Sequence, residues 1–104
     1  QLGAYIVAGL VEEEAGKLYN TATVFDRWGI ILGRQRKRNI GALERDRLGI
    51  SAGDGFYRAF ATDFGKMGVP VCIDLWGQPE AAKQLVDQGA EVLFNSTSRN
   101  PQPI

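Results

Sequence analysis

The fold is decided by the stretch Gly65-Lys66-Met67-Gly68-Val69-Pro70-Val71-Cys72-Ile73-Asp74, which contains the only cysteine of the chain. The segment Gln78-Pro79-Glu80-Ala81-Ala82 follows it within a few residues. This pattern predicts a strand, a sharp turn and a helix, with Cys72 at the carboxyl end of the strand. Open α/β sheets commonly carry their chemistry at that end. A lone cysteine is still more often a small buried hydrophobic residue than a nucleophile, so the rest of the sequence has to decide its role.

The sequence after Cys72 predicts an α/β unit. Apolar residues at helical spacing follow Pro79, which suits the first turn of a helix, and Gly89 is placed to end that helix. Residues 91–95 read as the next strand, and a loop is expected at 96–104. A strand, a helix and a strand in this order favour a right-handed crossover and therefore a partly parallel sheet.

The sequence before this stretch predicts a sheet built from hairpins. Apolar and β-branched runs predict strands at 4–11, 18–25, 30–32 and 56–61, with turns at 26–29 and 62–65. The first of these strands is long and apolar enough to be buried on both faces, and the acidic segment at 12–17 is expected to be an exposed connection. Residues 39–55 are expected to form a loop with a helical turn at 42–45, and long loops in compact domains are usually functional.

Composition excludes several classes of function. Twelve basic and twelve acidic residues cancel, so the chain has no general attraction for nucleic acid or for anionic membranes. One cysteine cannot form an internal disulfide, which fits a reducing, cytoplasmic location. The absence of histidine excludes Cys-His and Ser-His-Asp catalysis and zinc sites of the Cys and His type. No signal peptide is visible, and a chain that begins at Gln1 without an initiator methionine is expected to be a fragment.

A dense basic run spans Arg34-Gln35-Arg36-Lys37-Arg38. If the preceding strand continues through it, alternation places Arg34, Arg36 and Arg38 on one face and turns Lys37 to the other. Lys37 is then either an inward-facing amine or, with about equal weight, an ordinary solvated lysine. A nucleic-acid role for the run is weakly supported because the chain is neutral overall.

Several short motifs occur in the order found in one known family. They are Gly9-Leu10-Val11-Glu12, Leu18-Tyr19-Asn20-Thr21-Ala22, Arg36-Lys37, Gly53-Asp54-Gly55, Gly65-Lys66-Met67-Gly68, Val71-Cys72-Ile73-Asp74, Pro79-Glu80-Ala81 and Gly89-Ala90. On these motifs the chain resembles the carbon–nitrogen hydrolase (nitrilase and amidase) superfamily over nearly its whole length. No single motif is decisive, but their common order is specific.

The resemblance implies a fold and a catalytic apparatus. Members are similar to one another in forming four-layer α-β-β-α sandwiches with a mixed sheet and in using a Glu-Lys-Cys triad without a cofactor or a metal. By resemblance Cys72 is the nucleophile, Lys37 the catalytic lysine and Glu44 a second, assisting glutamate. Trp76 and Asn95 follow the cysteine turn and a strand end, where they either line the substrate pocket or serve packing and the turn. The triad glutamate is expected before Gln1, so residues 1–104 would be the central portion of a single domain.

The resemblance also has departures that bear on the substrate. Asn39 stands where the family often has a histidine shortly after the lysine, and Leu75-Trp76-Gly77 offers no cation to hold a substrate carboxylate. The expected reaction is hydrolysis of an amide to an acid and ammonia through a cysteine thioester, and a carbamoyl amino acid is less expected. A nitrilase, an acyl transferase with the same triad and a non-catalytic fragment remain as alternatives. The full-length protein is expected to be a homo-oligomer.

Overall fold

The computed structural model describes residues 3–97. Its strands are β1 (Ile6–Glu14), β2 (Lys17–Phe25), β3 (Ile31–Arg36), β4 (Ile50–Ser51), β5 (Phe60–Thr62), β6 (Gly65–Gly68) and β7 (Val92–Leu93). Its helices are α1 (Ala42–Arg47), α2 (Ile73–Trp76) and α3 (Glu80–Asp87). The predicted loop at 96–104 lies outside the described residues from position 98 onward.

The first sheet is a three-stranded antiparallel meander with β2 in the middle. Ala15 and Gly16, both with positive φ, form the tight turn between β1 and β2, which is the geometry that a two-residue hairpin requires. The predicted hairpin between the second and third strands is confirmed as β2 and β3. β4 pairs in parallel with the start of β2, and this short strand was not predicted from the sequence.

Two predictions about β1 were wrong. The acidic segment is part of the strand, because Glu12 accepts hydrogen bonds from Thr21 Oγ1 and Arg36 Nε, each at 2.9 Å. The hydrogen bond from Arg36 holds the pKa of Glu12 below its ordinary value against the opposing effect of burial. The apolar residues of β1 are not buried on both faces, since Val11 is 62% exposed. Only one face of an antiparallel sheet has to pack on a core, and alternation alone leaves the other open.

The second sheet is mixed, with β6 paired antiparallel to β5 and parallel to β7. The parallel pairing through the intervening α3 confirms the predicted strand-helix-strand crossover. The predicted strand at 56–61 begins only at Phe60, because side-chain amides rather than a neighbouring strand bind the backbone before it. Gln35 bonds to the backbone of Phe56 and Arg58, and Gln88 to that of Tyr57 and Ala59.

The core lies between the two sheets. Ala22 and Val24 of the first sheet pack against Met67, Val69 and Val71, and all five are at most 2% exposed. Burial of this kind contributes about 25 cal/mol per Å² of apolar surface removed from water. It is therefore the main term that holds the sheets face to face.

Glycine allows the layers to approach closely at one position on each sheet. A Cβ on Gly33 of β3 would lie 2.2 Å from the Phe60 ring. A Cβ on Gly68 of β6 would lie 2.6 Å from Leu85 Cδ1 of α3. The described chain is consequently an α-β-β stack, with α3 on the outer face of the second sheet.

α3 begins and ends as the sequence predicts. Pro79 is its N-cap residue, and Gly89 with φ of +89° follows its end. The amide of Gly89 bonds to Val86 O, and that of Ala90 bonds to Leu85 O, each at 2.9 Å. This is the Schellman arrangement, which satisfies the last carbonyls of the helix and turns the chain toward β7.

Replacing Gly33 by alanine is expected to lower the free energy of unfolding by about 1–3 kcal/mol, because the added methyl group overlaps the Phe60 ring. The matched control is the same substitution in a Phe60→Ala background, where the overlap is gone and the cost should largely disappear. Denaturant unfolding of the four variants measures this coupling. Equal costs in the two backgrounds would contradict the close packing of the sheets.

Candidate active site

Cys72 occupies a sharp turn between the second sheet and α2, as the sequence predicts. Its φ of +51° and ψ of −125° are rarely adopted by a residue with a side chain. Such conformations cost about 1–3 kcal/mol and persist only where the surroundings enforce them, most often at functional sites. The strand path leading to it is less regular than predicted, because the ladder of β6 ends at Gly68 and only Val71 rejoins it, through a bridge to Ser96.

Hydrogen bonds to the backbone of Cys72 enforce that turn. Its amide donates to Ser96 O at 2.8 Å, and its carbonyl accepts from the Asn95 side-chain amide at 3.1 Å. The same Asn95 nitrogen also donates to Pro70 O at 2.9 Å. Asn95 therefore braces the cysteine turn from β7, and its predicted contact with substrate remains a prediction.

Lys37 extends from the end of β3 into the interior. Its amide donates to Asn20 O at 2.8 Å, its carbonyl accepts from Gly53 N at 2.8 Å, and the residue is only 5% exposed. The predicted alternation is confirmed, because Arg34 and Arg36 pair with Glu12 on the opposite face of the sheet. The inward-facing interpretation of Lys37 is therefore the correct one. Arg38 lies beyond the end of the strand.

Glu44 is the partner of the buried ammonium group. Its Oε1 lies 2.5 Å from Lys37 Nζ, and it also accepts from Asn20 Nδ2 at 3.1 Å and from Gly41 N at 3.2 Å. Burial acts to raise the pKa of Glu44, but the hydrogen bonds from Lys37, Asn20 and Gly41 outweigh it and hold the pKa below its ordinary value. Glu44 is thus a carboxylate at neutral pH and neutralises the charge of Lys37. The helical turn that carries it was predicted at 42–45 and is confirmed as α1.

One cavity of about 700 Å³ brings these three side chains together. Its described lining consists of Gly9, Leu10, Val11, Asn20, Lys37, Gly41, Ala42, Leu43, Glu44, Leu48, Ile50, Val71, Cys72, Ser96 and Thr97. Within this lining, Lys37 and Glu44 are the charged residues, and most of the other side chains are apolar. Trp76 is 53% exposed on α2 and is not part of the described lining, so its contact with substrate also remains a prediction.

Two residues near the sulfur and the lysine were not found from the sequence. Thr97 Oγ1 donates a hydrogen bond to Cys72 Sγ at 3.3 Å, and Asn20 bonds to both Lys37 and Glu44. Asn20 belongs to one of the family motifs, but its role depends on a contact with α1 across 24 positions of sequence. Thr97 has no local pattern that would distinguish it from an ordinary loop residue.

Other kinds of site were searched for among residues 3–97. This part of the chain contains no group of three or more His, Cys, Asp or Glu side chains arranged to bind a metal ion. It also contains no helix long and apolar enough to cross a membrane.

The family model for carbon–nitrogen hydrolases matches residues 1–104. The chain belongs to that family. This carbon–nitrogen hydrolase chain is 37% identical over 105 residues to an N-carbamoylputrescine amidase from Arabidopsis thaliana, which covers 99% of this chain and 35% of the relative. It is 41% identical over 91 residues to a nitrilase from Pyrococcus abyssi, which covers 88% of this chain and 33% of the relative.

The fold comparison agrees with the sequence comparison. The crystal structure of a carbon–nitrogen hydrolase from Helicobacter pylori G27 superposes with a TM-score of 0.81 at 34% identity, covering 91% of this chain and 32% of that one. The predicted fold class is confirmed: the chain is part of a nitrilase-type sandwich, of which the described residues form an α-β-β portion. The chain spans about a third of the length of the curated relatives that it matches.

The strained turn predicts an unusual order of stability for two variants of Cys72. Glycine is ordinarily less stable than alanine in folded segments, but at φ of +51° it avoids the strain that any Cβ imposes. Cys72→Gly is therefore expected to be more stable than Cys72→Ala by about 1 kcal/mol. Denaturant midpoints of the two variants measure the difference, and the ordinary order would contradict the enforced conformation.

The lowered pKa of Glu44 predicts part of the acid sensitivity of the fold. Since its folded-state pKa lies below the ordinary value of 4.5, ionised Glu44 stabilises the fold above that value, and the stabilisation is lost as the pH falls through the folded-state pKa. Glu44→Gln should therefore lose less stability than the parent protein from about pH 5 downward. Denaturant midpoints across this range measure the difference.

Glu12 supplies the matched comparison, because its pKa is also lowered but it pairs with Arg36 away from the cavity. The double variant Glu12→Gln/Glu44→Gln should show a flatter acid limb than either single variant, with the two effects adding. An acid limb in Glu44→Gln as steep as that of the parent protein would show that Glu44 is not held as a carboxylate by its donors.

Proposed function

We propose that the full-length protein hydrolyses a non-peptide carbon–nitrogen bond, converting an amide to an acid and ammonia, with Cys72 as the nucleophile. The observation that carries this proposal is the cavity in which Cys72 meets the buried Lys37–Glu44 pair. Residues 1–104 are proposed to be the central portion of a single domain that supplies the lysine, the assisting glutamate and the cysteine.

The first half of the reaction forms a thioester. A thiol has an ordinary pKa of about 8.5, so it needs a base or a nearby cation to react as the thiolate at neutral pH. The ammonium of Lys37 and the hydroxyl of Thr97 are the donors that this chain offers to the sulfur and to the oxyanion. The sulfur of Cys72 attacks the amide carbon, the carbonyl electron pair moves to oxygen, and the collapse of this intermediate expels ammonia after its nitrogen gains a proton.

The second half hydrolyses the thioester. Water attacks the same carbon while a base takes its proton, and the collapse releases the acid and restores the thiol. The triad glutamate that the resemblance places before Gln1 would move the proton in both halves. Glu44 keeps Lys37 charged and oriented, because it is the counter-ion at 2.5 Å. Preorganised donors of this kind are typically worth about 3–4 kcal/mol in the transition state.

The walls of the cavity favour an uncharged acyl group. The charges of Lys37 and Glu44 cancel, and the neighbouring Leu10, Leu43 and Ile50 are apolar. The segment after Cys72 adds no cation for a substrate carboxylate. The substrate named for the Arabidopsis relative, a carbamoyl derivative of a diamine, likewise has no carboxylate. These features support an amide or a carbamoyl amine over a carbamoyl amino acid.

A nitrile substrate is the second candidate, and the similarity to the Pyrococcus nitrilase is the observation that favours it. The same cysteine would add to the nitrile carbon, and water would release ammonia before the thioester is hydrolysed. A non-catalytic role for the chain as a fragment is the remaining alternative. A cytoplasmic homo-oligomer is proposed as the working form, and light scattering on the full-length protein tests the assembly.

The decisive experiment measures ammonia release by the full-length protein from a short aliphatic amide, the matching nitrile, a carbamoyl diamine and a carbamoyl amino acid. Cys72→Ala is expected to abolish release, and Lys37→Gln to reduce kcat by about 10²–10³-fold because a buried charge donor is lost. Lys83→Gln is the matched control, since Lys83 is an exposed lysine on α3 that pairs with Asp87. It should retain parental activity.

The outcomes separate the candidates. Release from the amides alone supports the amidase, and release from the nitrile as well supports the nitrilase. Full activity in Cys72→Ala would overturn the nucleophile assignment. A folded parent protein that releases ammonia from none of the four compounds would favour the non-catalytic alternative.

A further inference from the structure

Asp74 is a buried carboxylate two positions after the proposed nucleophile, and it is only 1% exposed. Its oxygens accept from three donors on the segment that follows β3. Arg38 N lies 2.7 Å from Oδ2, while Asn39 N and Asn39 Nδ2 lie 2.9 Å and 2.8 Å from Oδ1. Those donors come directly after Lys37 in the sequence. One side chain on α2 thus binds the segment that carries the lysine.

The carboxylate has a further partner in Tyr57. Burial raises the pKa of the Tyr57 phenol, and the charge of Asp74 and a hydrogen bond with it raise the pKa further, so the hydroxyl stays protonated. Four hydrogen-bonding groups therefore surround Asp74. A buried carboxylate with this many donors is fixed in place, because losing any donor would leave part of its charge uncompensated.

These bonds fix a relation that the apolar core leaves free. Lys37 belongs to the first sheet through Asn20 and Gly53, whereas Cys72 belongs to the second through Ser96. The core between the sheets determines their separation, but hydrophobic contact is non-directional and tolerates small sliding. The hydrogen bonds of Asp74 are directional, and they join the two backbones within two residues of each proposed catalytic side chain.

We propose that Asp74 is a positioning residue that fixes the Lys37 ammonium relative to the Cys72 sulfur, with Asn39 as its principal partner. The inference rests on the proposed function for its kinetic consequence but not for its geometry. Asn39 stands where the related enzymes often have a histidine. Its amide donates to Asp74 at every pH, which a histidine would not do in the same way.

The test uses the reactivity of the Cys72 thiol, which does not require turnover. The rate of iodoacetamide alkylation is measured against pH in the full-length protein, and the peptide containing Cys72 is quantified by mass spectrometry. If Lys37 stabilises the thiolate, Lys37→Gln should move the midpoint of the profile upward by about one pH unit. Asp74→Asn should move it in the same direction, because the amide places a donor against the donors of Arg38 and Asn39.

Action through Lys37 is shown by a double variant. Asp74→Asn/Lys37→Gln should have the same midpoint as Lys37→Gln alone, since a displaced lysine has no further effect once its charge is gone. Asn39→Ala keeps both backbone donors and should give a smaller upward shift. It also provides a second reading if Asp74→Asn fails to fold, which circular dichroism detects.

Gln88→Ala is the matched structural control. Gln88 also binds backbone groups of another segment, at Tyr57 and Ala59, but it does not contact the 37–39 segment or Cys72. It should lower stability without moving the alkylation profile. In an active protein, Asp74→Asn should lower kcat tenfold or more with little change in KM, while Gln88→Ala should change neither.

The results that overturn the proposal are specific. An unshifted profile in folded Asp74→Asn, or in folded Asn39→Ala if the first variant does not fold, would show that the clamp is only structural. A further shift on adding Asp74→Asn to Lys37→Gln would show action on the sulfur without Lys37. If the parent protein hydrolyses nothing, the proposed function fails, but the alkylation profiles still decide the role of Asp74.

Discussion

The structure depends on the burial of one ammonium group. An unpaired charge in a protein interior costs several kcal/mol, so Lys37 can point inward only where a carboxylate meets it with good geometry. Glu44 meets it from α1, and that helix is positioned because the same carboxylate also binds Asn20 of β2 and the backbone of Gly41. Strand, lysine, glutamate and helix are thus mutually required, and removing either charge would leave the other stranded.

The two sheets then determine what the pair can reach. Their facing side chains are small or β-branched, and Gly33 leaves room for the Phe60 ring, so the layers approach closely. This approach brings the turn at Cys72 to the cavity that the ion pair lines. The apolar core supplies most of the energy, while the directional bonds of Asn95 and Asp74 determine where the reactive atoms lie.

Local sequence determined the features that depend on neighbouring residues. Alternation along the basic run showed that Lys37 differs from Arg36, and the Pro79 and Gly89 signals bounded α3 correctly. Features that depend on distant partners could not be read in this way. Glu12 looked like part of a solvated acidic run until β3 supplied Arg36, and residues 56–59 looked like a strand although the amides of Gln35 and Gln88 bind their backbone. The resemblance singled out Cys72 and Glu44, but neither Asp74 nor Thr97 has a local signal, because each acts through a segment more than twenty positions away.

The position of Glu44 in the first turn of α1 has a dynamic consequence. A six-residue helix is too short to persist by itself, since nucleation outweighs the few hydrogen bonds that it gains. Its first turn is held by the side chain that neutralises the buried lysine, so fraying of the helix and loss of the counter-ion are one event. Local order and electrostatic balance in the cavity therefore rise and fall together. A molecule that occupied the cavity would quiet the helix, and the exchange of the Gly41 amide with solvent would register its arrival.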